Sequence, residues 1–342
     1  MLDADVEVDR REFTVRAALR VAPGERLALF GPSGAGKTTL LEVIAGLVPP
    51  RRGRVTLGGR VLTSTDPPAA AVPPWRRRVG LLRQDPGLFP HLSVRGNLLY
   101  ARSAAAAAAE LDELAGVLGI AGLLSAMPAR LSGGQAHRVA LGRLLLAHCD
   151  TLLLDEPFTG LDASLRRTLT ALVSTLAAGR SVPAVLVTHE LPDAQAFADH
   201  LAVLDRGRLL QAGAPDEVVL RPASRRVAEL VGYLGFVPAD VPGSAAGAGG
   251  LVAGIHPERV TAGAFPARGL VLAGLVTASR PAGAGWEAEL RAGGAVITCR
   301  LHDRPPEAGN ELTITAPDPP FFGPDGAAVT AGPAHPARAS LG

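Results

Sequence analysis

The sequence predicts an α/β domain built on a parallel sheet and followed by a small all-β domain, and three observations carry that prediction. An apolar run at 26–30 leads through Gly31-Pro32-Ser33-Gly34-Ala35-Gly36-Lys37-Thr38 into helical spacing at 39–47, the strand, loop and helix order of a phosphate cradle. Apolar runs at 151–154 and 184–188 are separated by helical spacing at 164–177, the alternation expected of buried parallel strands. Beyond a Pro-, Ala- and Gly-rich stretch at 237–250, short runs at 269–277, 286–290, 295–301 and 311–315 are strand-like and separated by turn residues, as in a small barrel.

The remaining elements follow from local punctuation. Residues 55–62 read as a hairpin around Gly58-Gly59, and 201–204 as a strand turning at Asp205-Arg206-Gly207 into 208–211. The alanine-rich stretch 101–124 is helical by propensity. The organisation expected is a first domain over 1–236 with a helical part at about 85–145, a linker at 237–250, a β domain at 251–322 and a flexible tail at 323–342. No internal repeat of the first domain is visible.

Composition narrows the function. A length of 342 residues suits two domains with ample cores, and a net charge of +2 gives no reason to expect nucleic acid, whose binders concentrate basic charge. Arg76, Arg77 and Arg78 form the densest basic cluster and read as a solvated strand start or interface rim. Cys149 and Cys299 lack metal-ligand spacing and read as reduced thiols. The first ten residues alternate acids with apolar residues, so no secretory signal is expected. Arg143, His148 and Asp150 interrupt the most apolar region, 139–154; work at a membrane therefore requires docking onto a partner.

The chemistry concentrates at a few stations. Lys37 is the only lysine, and it stands where a compact ammonium fits between phosphate oxygens. Gly31, Gly34 and Gly36 let backbone N–H groups converge on β- and γ-phosphates, and Thr38 offers a hydroxyl to Mg²⁺. Leu152-Leu-Leu-Asp155-Glu156 ends a strand in two acids: Asp155 can hold the magnesium shell, and Glu156 can orient or deprotonate an attacking water. Leu131-Ser132-Gly133-Gly134-Gln135 runs directly into a helix, so it can present a second set of N–H donors and a hydroxyl to a γ-phosphate.

With that last segment the sequence resembles the ATP-binding cassette (ABC) family over about residues 6–230. The resemblance implies a P-loop nucleotide-binding domain with a RecA-like core and antiparallel β and helical subdomains, ATP and Mg²⁺ as cofactors, and a head-to-tail dimer in which the signature segment of one copy covers the nucleotide of the other. It also implies residue roles. Phe13 would stack on adenine, with Pro32, Ser33, Ala35 and Thr39 completing the loop. Gln84 would be the lid glutamine that senses magnesium and water, Asp162 the loop aspartate at the dimer interface, and His189 the switch histidine at the γ-phosphate. His137 and Arg83 depart from the family pattern and are expected to tune the interface.

The segment Asp85-Pro-Gly-Leu-Phe-Pro-His-Leu-Ser-Val-Arg-Gly-Asn97 looks like the cleft that receives a membrane subunit in importer ATPases, and with 73–80 it looks most like molybdate importers. Gly254-Ile-His-Pro-Glu-Arg-Val260 is similar to the opening of the OB-like (TOBE-type) barrel appended to many importer ATPases, with His256 where arginine is commoner. The Ser-Ala-Arg-Asn stretch of molybdate-binding barrels is missing, which leaves sulfate, iron, polyamine and sugar import open. The implied setting is the cytoplasmic face of the membrane, with permease subunits as direct partners and a periplasmic or surface solute-binding protein as an indirect one. A soluble cassette in DNA repair or translation would show tandem cassettes or a coiled-coil insertion, and neither is visible.

Overall fold

A computed structural model describes residues 1–100, 104–238, 250–263, 265, 269–292 and 294–329, and the chain divides into two compact units, Met1–Pro215 and Asp216–Gly342. In the first unit β1 (Leu2–Asp9) and β2 (Thr14–Val21) form an antiparallel hairpin. The alternation in β1 has a direct cause: Leu2, Ala4, Val6 and Val8 are buried, while Asp3 and Glu7 on the opposite face pair across the strand with Arg20 and Arg16 at 3.1 and 3.4 Å.

β3 (Arg26–Phe30) leads into α1 (Lys37–Ala45), then come β4 (Arg52–Leu57), β5 (Arg60–Ser64) and β6 (Ala70–Ala71). Gly58 and Gly59 both have positive φ, 58° and 81°, the geometry of a tight hairpin turn, as their sequence signal predicts. β7 (Val79–Leu82) is followed by α2 (Val94–Leu99), α3 (Ala104–Val117) and α4 (Gly133–Leu146). The helix expected over 101–124 stops earlier than its propensity suggests, because Gly119 adopts φ 63° and a 3₁₀ turn takes over at Ala121–Leu123; residues 101–103 lie outside the described residues. β8 (Thr151–Asp155), α5 (Ala163–Gly179), β9 (Ala184–Thr188), α6 (Leu191–Phe197), β10 (His200–Asp205) and β11 (Arg208–Gly213) complete the unit.

These strands make one eleven-stranded sheet in the order β6-β5-β4-β1-β2-β11-β10-β3-β9-β8-β7. β10, β3, β9, β8 and β7 run parallel, and β8 and β9 are buried at every position, which explains their unbroken apolar runs. One core cluster joins Leu98, Leu111, Leu141, Leu145, Leu154 and Phe158, and a second joins Val6, Leu29, Leu40, Ile44, Val55 and Val187.

The arginine cluster is not simply a solvated edge. Arg77 is only 5% exposed; its Nη1 donates to the Val43 and Ile44 carbonyls at 3.2 and 2.9 Å, its Nη2 to Thr63 Oγ1 at 2.8 Å and its Nε to Val72 O at 2.7 Å. A guanidinium therefore caps the carbonyl end of α1 and complements its dipole.

In the second unit, α7 (Pro215–Leu220) begins at the division and α8 (Arg225–Leu230) follows. β12 (Gly235–Pro238), β13 (Val252–Ile255), β14 (Thr261–Ala262), β15 (Gly269–Ala282), β16 (Gly285–Ala292), β17 (Ala295–Leu301), β18 (Glu311–Pro317), β19 (Phe321–Phe322) and β20 (Ala328–Val329) form its all-β body. The sheets run β12-β13-β19-β20 and β14-β18-β15-β16-β17, around Val237, Ile255, Leu272, Leu290, Ile297 and Ile314. Three expected boundaries need correction. The first domain, expected over 1–236, ends as a compact unit at Pro215, because the segment after it joins the second unit, where Ser224 bridges Ala327 and Tyr233 packs edge-on against His256. Val237 and Pro238, placed in a linker by composition, are strand residues, because Val237 fills this core and β12 pairs with β13; residues 239–249 lie outside the described residues. The tail expected from 323 carries β20, which pairs with β19, and Ala327 bridges Ser224 beside α8; residues 330–342 lie outside the described residues.

Replacing Arg77 with methionine should lower the stability of the protein by about 3 kcal/mol, since four acceptors lose a buried charged donor. Arg77→Lys should recover only part, because an ammonium cannot span the same fork. Urea unfolding is the measurement, and an unchanged midpoint in Arg77→Met would contradict the capping role.

Candidate nucleotide site

The parallel register brings three strand ends together. Phe30 lies opposite Thr188, and Asp155 opposite Val187, so the segments leaving β3, β8 and β9 emerge at one edge of the sheet. The first is the glycine-rich loop. A Cβ on Gly31 would overlap the Leu204 carbonyl, while Gly34 and Gly36 take φ 80° and 104°. Gly36 caps α1 without any side-chain acceptor, and the first turn of α1 holds no acid, so its N–H donors face the loop.

Lys37 is 5% exposed, and its Nζ donates to the Gly31 and Pro32 carbonyls at 2.7 and 2.9 Å. Burial pushes its pKa down, against the pull of Glu156 and Asp155. Thr38 Oγ1 donates to Asp155 Oδ1 at 3.1 Å. Asp155 is 4% exposed, and burial holds its carboxyl above the usual range, reinforced by Glu156 and Glu42 and opposed by the Thr38 bond and by Lys37. Among the described residues no cluster of three or more His, Cys, Asp or Glu forms a metal cage. A hydroxyl and one carboxylate beside a phosphate loop nevertheless fit Mg²⁺, which takes few protein oxygens and completes its octahedron with phosphate and water.

Glu156 follows Asp155 with φ 49°, a left-handed conformation unusual for glutamate. Its Oε1 lies 3.0 Å from His189 Nδ1, and Thr159 Oγ1 donates to its Oε2 at 3.4 Å. Histidine Nε2 in turn lies 3.6 Å from Glu190 Oε1. A cavity of about 910 Å³ gathers Phe13, Ser33, Gly34, Ala35, Gly36, Lys37, Thr38, Thr39, Gln84, Glu156 and His189, a size suited to a nucleotide. Phe13 is half-buried at its rim, leaving ring surface free to stack.

The cavity does not include Ser132, Gly133, Gly134, Gln135 or Asp162. Ser132 caps α4 in a reciprocal box, accepting from the Gln135 amide at 3.3 Å while Gln135 Oε1 accepts from the Ser132 amide at 2.8 Å. Ser132 and Gly133 are exposed, and a Cβ on Gly133 or Gly134 would have no neighbour within 4 Å among the described residues. Nothing inside the described chain requires glycine there, although each costs up to about 1 kcal/mol against alanine in a helix. Asp162 caps α5, accepting from the Ser164 and Leu165 amides at 3.0 Å, bonds that lower its pKa.

Sequence reasoning missed the turn at 10–13 apart from Phe13, and it missed Thr159. Asp9, Arg10, Arg11 and Glu12 line the cavity beside Phe13, and Arg10 Nε donates to Thr39 Oγ1 at 2.7 Å. The adjacent Arg10-Arg11 pair before the aromatic was the available signal. His137, read as an interface residue, is buried in α4 with Nε2 unpartnered among the described residues, and burial lowers its pKa. Arg83 donates to Glu42 Oε1 at 3.3 Å.

Comparison with known proteins agrees with this geometry. Residues 15–159 match the family model described as ABC transporter. The first unit has the P-loop ABC ATPase fold. The chain is 41% identical over 228 residues to the Fe(3+) ions import ATP-binding protein FbpC of Mesorhizobium japonicum, covering 66% of this chain and 62% of that protein. It is 41% identical over 229 residues to the sulfate/thiosulfate import ATP-binding protein CysA 2 of Chromobacterium violaceum, covering 66% of this chain and 61% of that one. The match thus spans somewhat under two thirds of these relatives' lengths. A solved ATP-binding subunit of an ABC transporter superposes with TM-score 0.57 at 28% identity, over 68% of this chain and 95% of that one. The relatives are named for Fe(3+) and sulfate or thiosulfate rather than molybdate.

Asp155→Asn should stabilise the protein in the absence of ligand. Because the folded carboxyl sits above its ordinary value of 3.8, the folded state binds the proton more tightly than the unfolded one. The wild type should therefore gain stability relative to Asp155→Asn as pH falls through the raised value, and the difference should level off below the ordinary one. Melting curves of both proteins across that range are the check; a lower melting temperature for Asp155→Asn at neutral pH would refute it.

Proposed function

We propose that this chain is the ATP-hydrolysing subunit of an ABC importer, working at the cytoplasmic face of the membrane as a head-to-tail pair in which each copy covers the other's nucleotide. The supporting observation is the mismatch between the two halves of the site. The loop, Asp155, Glu156 and His189 converge on one cavity, whereas Ser132, Gly133 and Gly134 lie outside it with open space over the glycines. An exposed Gly133 at a helix start, with open space over Gly134 as well, suits the backbone N–H groups to a phosphate brought by another molecule.

Within each site, the residues divide the work. Lys37 and the amides of the loop hold the β- and γ-phosphates. Mg²⁺, held by Thr38, Asp155 and Gln84 with phosphate and water, would neutralise charge developing on the phosphates. With the proton on Nδ1, His189 donates to Glu156 Oε1 and fixes the carboxylate plane, leaving Oε2 to take a proton from the attacking water. Phe13 orients the nucleotide by stacking on its base.

Coupling to the permease runs through 85–97. Asn97, fully buried, ties this loop together: its Oδ1 accepts from the Phe89 amide at 2.8 Å and its Nδ2 donates to the Phe89, Leu92 and Ser93 carbonyls. Arg143 adds bonds to the Pro86 and Gly87 carbonyls and lies 5.1 Å over the Phe89 ring. A loop braced this way can transmit a push from a partner helix. The relatives' names favour Fe(3+) as the solute, with sulfate or thiosulfate as the second reading; a solute-binding protein would deliver it.

Glu156→Gln should bind ATP, hydrolyse it about 10²–10⁴-fold more slowly, and accumulate as a dimer by light scattering. A monomeric, fully active variant would end this assignment. In the assembled transporter, Fe(3+) presented by its binding protein should stimulate ATP turnover more than sulfate, thiosulfate, molybdate or a sugar; stimulation by a sugar alone would remove the solute proposal and leave the motor intact.

A further inference from the structure

We propose that Arg10 is a nucleotide-binding residue whose guanidinium engages the phosphate nearest the base, the α-phosphate. The inference rests on reading the cavity as a nucleotide site. The four residues between β1 and β2 form one turn, closed by the Arg10 amide donating to the Phe13 carbonyl at 2.9 Å. A base platform and a cation thus sit on a single short turn. That turn is seated closely: a Cβ on Gly207 would lie 2.7 Å from Phe13 Cδ2, and one on Gly36 would lie 3.6 Å from Phe13 Cε2.

Arg10 is held against the helix that follows the phosphate loop. Its Nε donates to Thr39 Oγ1 at 2.7 Å and its Nη2 lies 3.8 Å from Glu42 Oε2, two residues three apart on one face of α1. These contacts use one edge of a planar fork with five N–H donors, and the same side chain lines the cavity. Arg10 is not needed to neutralise Glu42, since Arg83 makes the shorter pair with that carboxylate at 3.3 Å. The position along the nucleotide follows from chain order. Lys37 and Thr38 serve the outer phosphates and Phe13 serves the base, while Arg10 is tied to Thr39, one residue further along α1, and lies three residues before Phe13. A guanidinium anchored there meets the phosphate between the two ends, where a fork recognises oxygens better than a point charge does.

The test is binding of ATP, ADP and adenosine by calorimetry and competition to wild type, Arg10→Gln and Arg10→Lys. Arg10→Gln should weaken ATP and ADP alike by about tenfold, the loss of one charge-assisted contact, and leave adenosine within about twofold. Arg10→Lys should recover part of the ADP affinity, and the slope of log Kd against log salt should be shallower for Arg10→Gln than for wild type. Unchanged ADP affinity in Arg10→Gln would overturn the proposal, and so would an equal loss for adenosine, which would mean that Arg10 only holds the turn. Wild-type protein that binds no nucleotide would instead remove the reading of the cavity itself.

Discussion

The parallel pairing of β3, β9 and β8 is the constraint on which the rest of the first unit depends. Its register sets Phe30 beside Thr188 and Asp155 beside Val187, so one edge of the sheet receives the glycine-rich loop, the two acids and His189 within hydrogen-bonding reach. A slip of one residue in any of these strands would turn buried leucines and valines toward the wrong layer. The apolar interior therefore enforces the spacing of the polar groups, and the site's precision is borrowed from packing that never touches a ligand.

That arrangement also stores unfavourable electrostatics. Burial disfavours the ionised forms of both Asp155 and Lys37, and the chain offsets this only partly: the Thr38 bond and Lys37 favour the Asp155 carboxylate, while Glu156, Asp155 and the loop carbonyls favour the Lys37 ammonium. In the function proposed above, a triphosphate with its cation would supply the missing partners. The site is thus arranged for the complex rather than for the chain alone, the usual compromise between stability and activity.

Much of this was legible in the sequence because the signals were local. The loop from Gly31 to Thr38, the strand ending in Asp155-Glu156, and the Gly58-Gly59 turn each depend on residues a few positions apart, and each forms as its spacing implies. What was missed depends on distant neighbours. Arg77 looked like one of three surface arginines, yet it caps α1, because only the fold brings Val43 and Ile44 to it. Arg10 reaches Thr39 across 29 residues. Val237 resembled linker by composition, and only pairing with Ala253 shows it to be core. The solute of the proposed importer was beyond such reading altogether, since nothing in phosphate chemistry depends on its identity.

Gly133 and Gly134 carry a practical consequence. A selection that ranks variants by thermal resistance of the isolated chain would favour alanine at both positions, where space is open and helix propensity improves. Such a campaign would harden the chain and, in the head-to-tail pair proposed above, spoil the surface offered to a second copy, without any warning in the property being optimised.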